Sequence, residues 1–139
     1  MLEILSTIGS IATAAAVGLA WWQLWLTRKQ SVTSFEDSLN KEYRELTATL
    51  PTKALLGKPL TDEEHAESID EFYRYIDLCN EQAFLHKTSR ISEDTWTFWS
   101  DGIVTNLARP AFRRAWREIA ARAPNDFGEL RTLSPPSST

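Results

Sequence analysis

Apolar and polar positions follow two different rules along this chain. Residues 4–26, reading ILSTIGSIATAAAVGLAWWQLWL, form a run of 23 positions without a charge. Beyond Arg28 and Lys29 the large apolar residues return every three or four positions, the period of an amphipathic helix. At 1.5 Å per residue the first run predicts a helix roughly 34 Å long, slightly more than a bilayer core. Its C-terminal end carries Trp21, Trp22 and Trp25, followed by Arg28 and Lys29. Indole rings favour the headgroup level and basic residues the cytoplasmic side. The expectation is a single transmembrane helix in the inner membrane, with the N-terminus out and the C-terminal domain in the cytoplasm. A cleaved signal peptide would need a positive segment ahead of the run, and only Glu3 stands there. A buried core helix without a charge on any face would need more protein around it than this chain offers.

The remaining pattern predicts an all-α domain of four to five helices. Phe35, Leu39, Tyr43 and Leu46 share one helical face after the cap candidates Ser31, Thr33 and Ser34, and this helix could also continue directly from the span. Pro51, Gly57 and Pro59 predict a loop over 49–61. Thr61 with Glu64 is a capping-box pair opening a long helix to about His86, its face marked by Ile69, Phe72, Tyr73, Ile76, Ala83 and Phe84. Ser92 caps the next, with Trp96, Trp99, Ile103 and Leu107 on its stripe. Pro110 suits a first helical position ahead of Phe112, Ala115, Trp116 and Ile119. Residues 127–133 suggest a short turn. The expected division is a membrane anchor over 1–30, a helical domain over 31–133 and a disordered tail over 134–139. No segment alternates with period two.

Length and charge narrow the choices. Without the anchor about 110 residues remain, enough for one small core. A net charge of −4 speaks against a general binder of duplex nucleic acid, which needs a basic face. The lone Cys79 cannot form an intrachain disulfide and suits a reducing compartment. Charge is also segregated: residues 62–81 hold eight acids against one base, and residues 102–139 six arginines against three acids. The simplest use of this asymmetry is pairing of the two segments within the domain.

Candidate chemistry is sparse. Cys79 and His86 share a helix seven residues apart, about 10 Å along its axis, too far for a nucleophile and its base. His65 lies further away, and these three residues make no metal-ligand spacing. There is no Gly-rich phosphate loop. No catalytic residue, metal or cofactor is therefore expected. The densest polar cluster in an apolar setting is the run 75–82, which carries Asp77, Asn80, Glu81 and Gln82. With Arg90, or with the indole N–H groups of Trp96 or Trp99, it predicts a polar network fixing two helices. Arg109, Arg113 and Arg117 recur at every fourth residue with Arg114 beside them, a ridge suited to anionic ligands or to pairing with acids. In the span, Ser10, Ala14 and Gly18 form a small-residue stripe through which two copies could pack as a homo-oligomer.

The strings FYRYIDLCNEQAFLHKTSRIS, TWTFWSDGI and ARPAFRRAW resemble the hallmark of a bacterial family of small single-pass membrane proteins of unknown function. The resemblance covers about residues 35–131 and implies a helical cytoplasmic domain behind an N-terminal span, without an assigned activity. The expected function is a membrane-anchored, non-catalytic module that binds or assembles, with the lipid bilayer as one partner. The alternative, by analogy with single-pass proteins of this size, is a ligand-gated membrane effector of antiphage defence. There the arginine ridge would sense an anionic nucleotide second messenger.

Overall fold

The computed structural model describes residues 1–136, apart from the side chains of Leu5, Ser6 and Ser10. It is all-helical, with no strand among the described residues. The helices are α1 (Leu2–Thr47), α2 (Thr52–Leu55), α3 (Asp62–Lys87), α4 (Glu93–Ala108), α5 (Pro110–Arg122) and α6 (Gly128–Leu133). The chain forms two compact units that divide after Phe35.

The first unit is the apolar part of α1. It is long and apolar enough to cross a membrane, and none of its apolar window is buried within the protein. Thr7 and Thr13 turn their hydroxyls onto the carbonyls of Glu3 and Gly9, at 2.8 and 2.9 Å. These polar side chains thus satisfy themselves on their own helix, as a lipid environment requires. At the other end Trp22 and Trp25 meet at 5.7 Å, and Lys29 lies 5.3 Å from the Trp25 ring. Ser31 to Ser34 do not cap a new helix. The apolar run continues into the next helical face without a breaker, so helix persists to Thr47.

The second unit is built around α3. Its Thr61 forms the expected capping box with Glu64, so two N-terminal N–H groups are satisfied reciprocally. One side of α3 packs on α5 and α6, where Phe72 and Tyr75 each meet Phe112 edge-on at 5.1 Å. On α5, Trp116 meets Phe127 at 5.9 Å and donates its indole N–H to the carbonyl of Ser134 at 2.9 Å. That bond ties the start of the expected tail to the domain, while 137–139 lie outside the described residues. The other side of α3 meets the end of α1 and α4 through Leu39, Leu78, Leu85, Ile91 and Trp99.

Covering α3 from both sides explains two departures from the sequence reading. Its buried face is wider than one stripe and includes Tyr75, Leu78, Cys79, Gln82 and Leu85. Tyr73 and Phe84, expected on that stripe, are exposed. The segment 49–61 is not all loop. Pro51 starts the single turn of α2, which buries Ala54, and Gly57 ends it with φ +78°, a left-handed conformation that glycine adopts at no steric cost.

Candidate functional site

A cavity of about 210 Å³ opens where the end of α1 meets α3 and α4, lined by Asn40, Tyr43, Gln82, Phe98, Trp99, Asp101, Gly102 and Ile103. Hydrogen bonds hold its walls. Trp99 Nε1 donates to Asn40 Oδ1 at 2.8 Å, joining α4 to α1. Asn106, one turn beyond Ile103, donates to Tyr43 Oη at 3.0 Å and to Tyr75 Oη at 2.9 Å, joining α4 to α1 and α3. At the start of α4, Glu36 accepts from the Ser92 backbone N–H at 2.6 Å and from the Thr95 hydroxyl at 2.7 Å. Burial pushes the Glu36 carboxyl up, but these donors outweigh it and hold it below the usual carboxylate range.

Gln82 is the unusual member of the lining. It is 2% exposed, and its Oε1 has no hydrogen-bond partner among the described residues. A buried amide carbonyl without a donor is costly. The mouth of the cavity has the opposite character. Phe98 is 78% exposed there, and among the described residues the exposed Asp101 supplies the charged side chain of the lining.

The residues singled out by sequence are placed differently. Asp77, Glu81 and Arg90 are exposed, and the Asn80 side chain bonds to α6 rather than to them. Asp77 and Glu81 instead flank an open depression with Glu42, Glu45 and Arg74. There burial, and then the charges of Glu42 and Asp77, push the Glu81 carboxyl above its usual value. Asn80 bonds neither α4 nor its tryptophans: its Oδ1 accepts the backbone N–H of Leu130 at 3.1 Å and so fixes α6. Helical phase decides this, because Asn80 stands on the side of α3 covered by α6.

On α5 the arginines separate by role. Arg114 pairs with Asp62 at the start of α3 at 2.7 Å, and Arg122 pairs with Glu118 at 2.8 Å. Arg113 is exposed, Arg117 is half-buried, and Arg109 provides the backbone position ahead of Pro110. Pairing of the acidic and basic segments thus occurs at Asp62–Arg114. In the apolar part of α1, Ala14 and Gly18 are exposed, and the Ser10 side chain lies outside those described.

His65 and Cys79 are internal. His65 Nε2 meets Glu118 Oε2 at 2.5 Å across α3 and α5, and this bond holds the Glu118 carboxyl below its usual range. Cys79 is fully buried, and burial pushes its thiol up to about 12, so it is not a thiolate at neutral pH. Among the described residues no group of His, Cys, Asp and Glu could hold a metal ion.

The sequence singles out none of Gln82, Asn40, Tyr43, Phe98 and Asp101 as site residues, although Tyr43 belongs to the first apolar face and Gln82 closes the polar cluster over 75–82. Gln82 did carry a signal, standing four residues after Leu78 and three after Cys79 on a helix otherwise apolar at those positions. The others become neighbours only when α1 closes on α4, which no local spacing encodes. No family model, curated protein or solved structure matches this chain. Resemblance to the bacterial single-pass family rests on the quoted strings alone.

Proposed function

We propose that this protein is a membrane-anchored helical module, held in the inner membrane with its C-terminal unit in the cytoplasm, that works by binding or assembly rather than catalysis. The observation that carries the reading is the apolar part of α1. It is charge-free over 4–26, unburied, and bounded by tryptophans and then by Arg28 and Lys29. The back-bonded threonines support it, since a lipid-facing helix must satisfy its own polar groups. A non-catalytic role is supported by the isolation of the reactive side chains. The Cys79 thiol is inert, and His65 is bound to Glu118 in the packed interior.

The anionic-nucleotide reading has less support. Arg114 is already paired with Asp62, and among the described residues the charged side chain lining the cavity is the carboxylate of Asp101. The deciding experiment fuses a compartment-sensitive reporter after Thr139 of the full chain in a bacterial cell and fractionates the membranes. Activity only as a cytoplasmic reporter, in the membrane pellet, is expected. A periplasmic signal, or a soluble product lacking the first 26 residues, overturns the proposal.

A further inference from the structure

We infer that the face of the second unit formed by α4 and the end of α1 is a dimer interface, and that its occupant is the same face of a second copy of this chain. This deepens the assembly part of the reading above and rests on it. The surface is complementary to itself in shape and in charge.

Phe98 stands exposed at the mouth of the cavity that Tyr43, Trp99 and Ile103 help to line. An apolar cavity of about 150 Å³ holds benzene, so one of about 210 Å³ has room for a phenyl ring. An exposed ring and a hollow of matching size therefore lie side by side. A two-fold interface uses both at once, each Phe98 entering the hollow of the other copy. Gly102 follows one turn after Phe98 and is the only glycine within α3, α4 or α5. Its φ is not positive, and a Cβ there would meet nothing within 4 Å. Glycine inside a helix is destabilising relative to alanine, so at this position it brings the lone domain only a loss. Against a second helix it gains a use, because a missing side chain lets two helix axes approach closely.

The charges select the occupant. The cavity shares Asn40, Tyr43 and Phe98 with a wider hollow that Asp37 and Arg44 complete. Asp101 lies in the first lobe and Arg44 in the second, and among the described residues neither makes an ion pair. A two-fold axis past Phe98 exchanges the lobes and sets Arg44 of each copy against Asp101 of the other. Acid and base together on one patch suit neither a polyanion nor a polycation, but they suit a surface with the same mixture. Chains anchored in one membrane are already concentrated in its plane, and a two-fold axis along the membrane normal can relate them. A small interface then suffices.

The test uses the full chain in proteoliposomes at low protein-to-lipid ratio and in native membranes, with disulfide cross-linking under mild oxidation as the readout. Cys79 is buried, so the parent chain is the blank. Gly102→Cys, close to the axis, is expected to give about tenfold more dimer than Arg113→Cys, an exposed position on α5 that reports chance encounters. Added to the Gly102→Cys chain, Phe98→Ala or Asp101→Arg is expected to lower the dimer about fivefold. All these positions are exposed, so the melting temperature is expected to hold. Arg44→Asp, combined with Asp101→Arg, is expected to restore the dimer, a rescue that a purely structural effect would not give.

A Gly102→Cys dimer no more abundant than that of Arg113→Cys overturns the inference. So does a dimer that survives Phe98→Ala, which would place self-association in the apolar part of α1, and so does failure of Arg44→Asp to rescue Asp101→Arg. A cross-link in native membranes to a chain of different mass would assign this face to another protein, again overturning it. None of these outcomes alters membrane fractionation, so failure here is distinguishable from failure of the anchor reading.

Discussion

Asn106 on α4 and Tyr75 on α3 are joined by a hydrogen bond of 2.9 Å between groups that are both buried, and Asn106 also donates to Tyr43 on α1. One amide thus spans three helices. Removing it orphans hydroxyls in a dry environment. Asn106→Ala is expected to cost about 1–3 kcal/mol in chemical denaturation. Tyr43→Phe, whose oxygen lies nearer the surface, is expected to cost less. Equal losses for the two variants would show that the network does not act through burial.

Asn80 works on α6 from outside that helix. Phe127, the residue before α6, is in a left-handed conformation and makes no side-chain cap, and Leu130 N–H is one of the first donors without an intrahelical partner. Asn80 Oδ1 supplies the missing acceptor. Asn80→Ala is expected to cost about 1 kcal/mol and to raise amide exchange selectively in Gly128–Leu133. Asn80→Asp retains an acceptor there and is expected to restore protection. Uniform exchange changes across the domain would contradict the capping role.

Trp116 and Trp99 are both buried, yet they anchor different clusters. Trp116 lies in the main core beside Phe127, and Trp99 in the smaller cluster with Leu39 and Leu85. Trp116→Ala is expected to cost about 3–5 kcal/mol. Trp99→Ala adds the loss of the Asn40 bond and opens the cavity wall, so it is expected to loosen the contact of α1 with α4 first. Hydrogen exchange around Asn40 reads this directly. Protection there that survives Trp99→Ala would argue against the assignment.

What the sequence revealed depended on how local the determining interaction was. The capping box at Thr61, the Ser92 cap and Pro110 at a first helical position involve residues within four of each other, and all are readable, as is the long uncharged run that makes the apolar part of α1. The continuity of α1 through Ser31–Ser34 was left open because nothing there breaks a helix. Helical phase was the weak point. Asn80 and Phe84 were placed by a single stripe, whereas α3 is packed on two sides. The cavity was out of reach, because Asn40 and Trp99 are 59 residues apart and become partners only in the folded domain.

Arg113 and Arg114 are adjacent but do different things. Arg114 reaches Asp62 at 2.7 Å, while Arg113 is exposed on the ridge. Because Asp62 is highly exposed, the pair is screened, and Arg114→Ala is expected to cost at most about 1 kcal/mol, a loss that shrinks with salt. Arg113→Ala is expected to leave the melting temperature unchanged. A marked fall in stability for Arg113→Ala would show that the ridge is structural.

His65 and Glu118 give the domain an acid-side dependence of definite sign. The Glu118 carboxyl sits below its usual value chiefly because His65 hydrogen-bonds it; burial opposes this, and the charges of His65, Arg122 and Arg114 add to it. In the unfolded chain the same carboxyl titrates near about 4.3. A group whose folded value is depressed contributes stability that is fully present above the unfolded value. That contribution is lost as pH falls through the folded one. Glu118→Gln keeps an acceptor but cannot ionise. Its stability, subtracted from that of the parent, is expected to leave a difference that shrinks below about pH 4.5. Glu36 and Glu64 are also held low, but both remain in the variant and cancel in the subtraction. His65→Leu removes the donor and is expected to abolish most of the same acid-side slope. Parallel stability curves for parent and Glu118→Gln between pH 6 and about pH 3 would mean that the pair carries no linked proton.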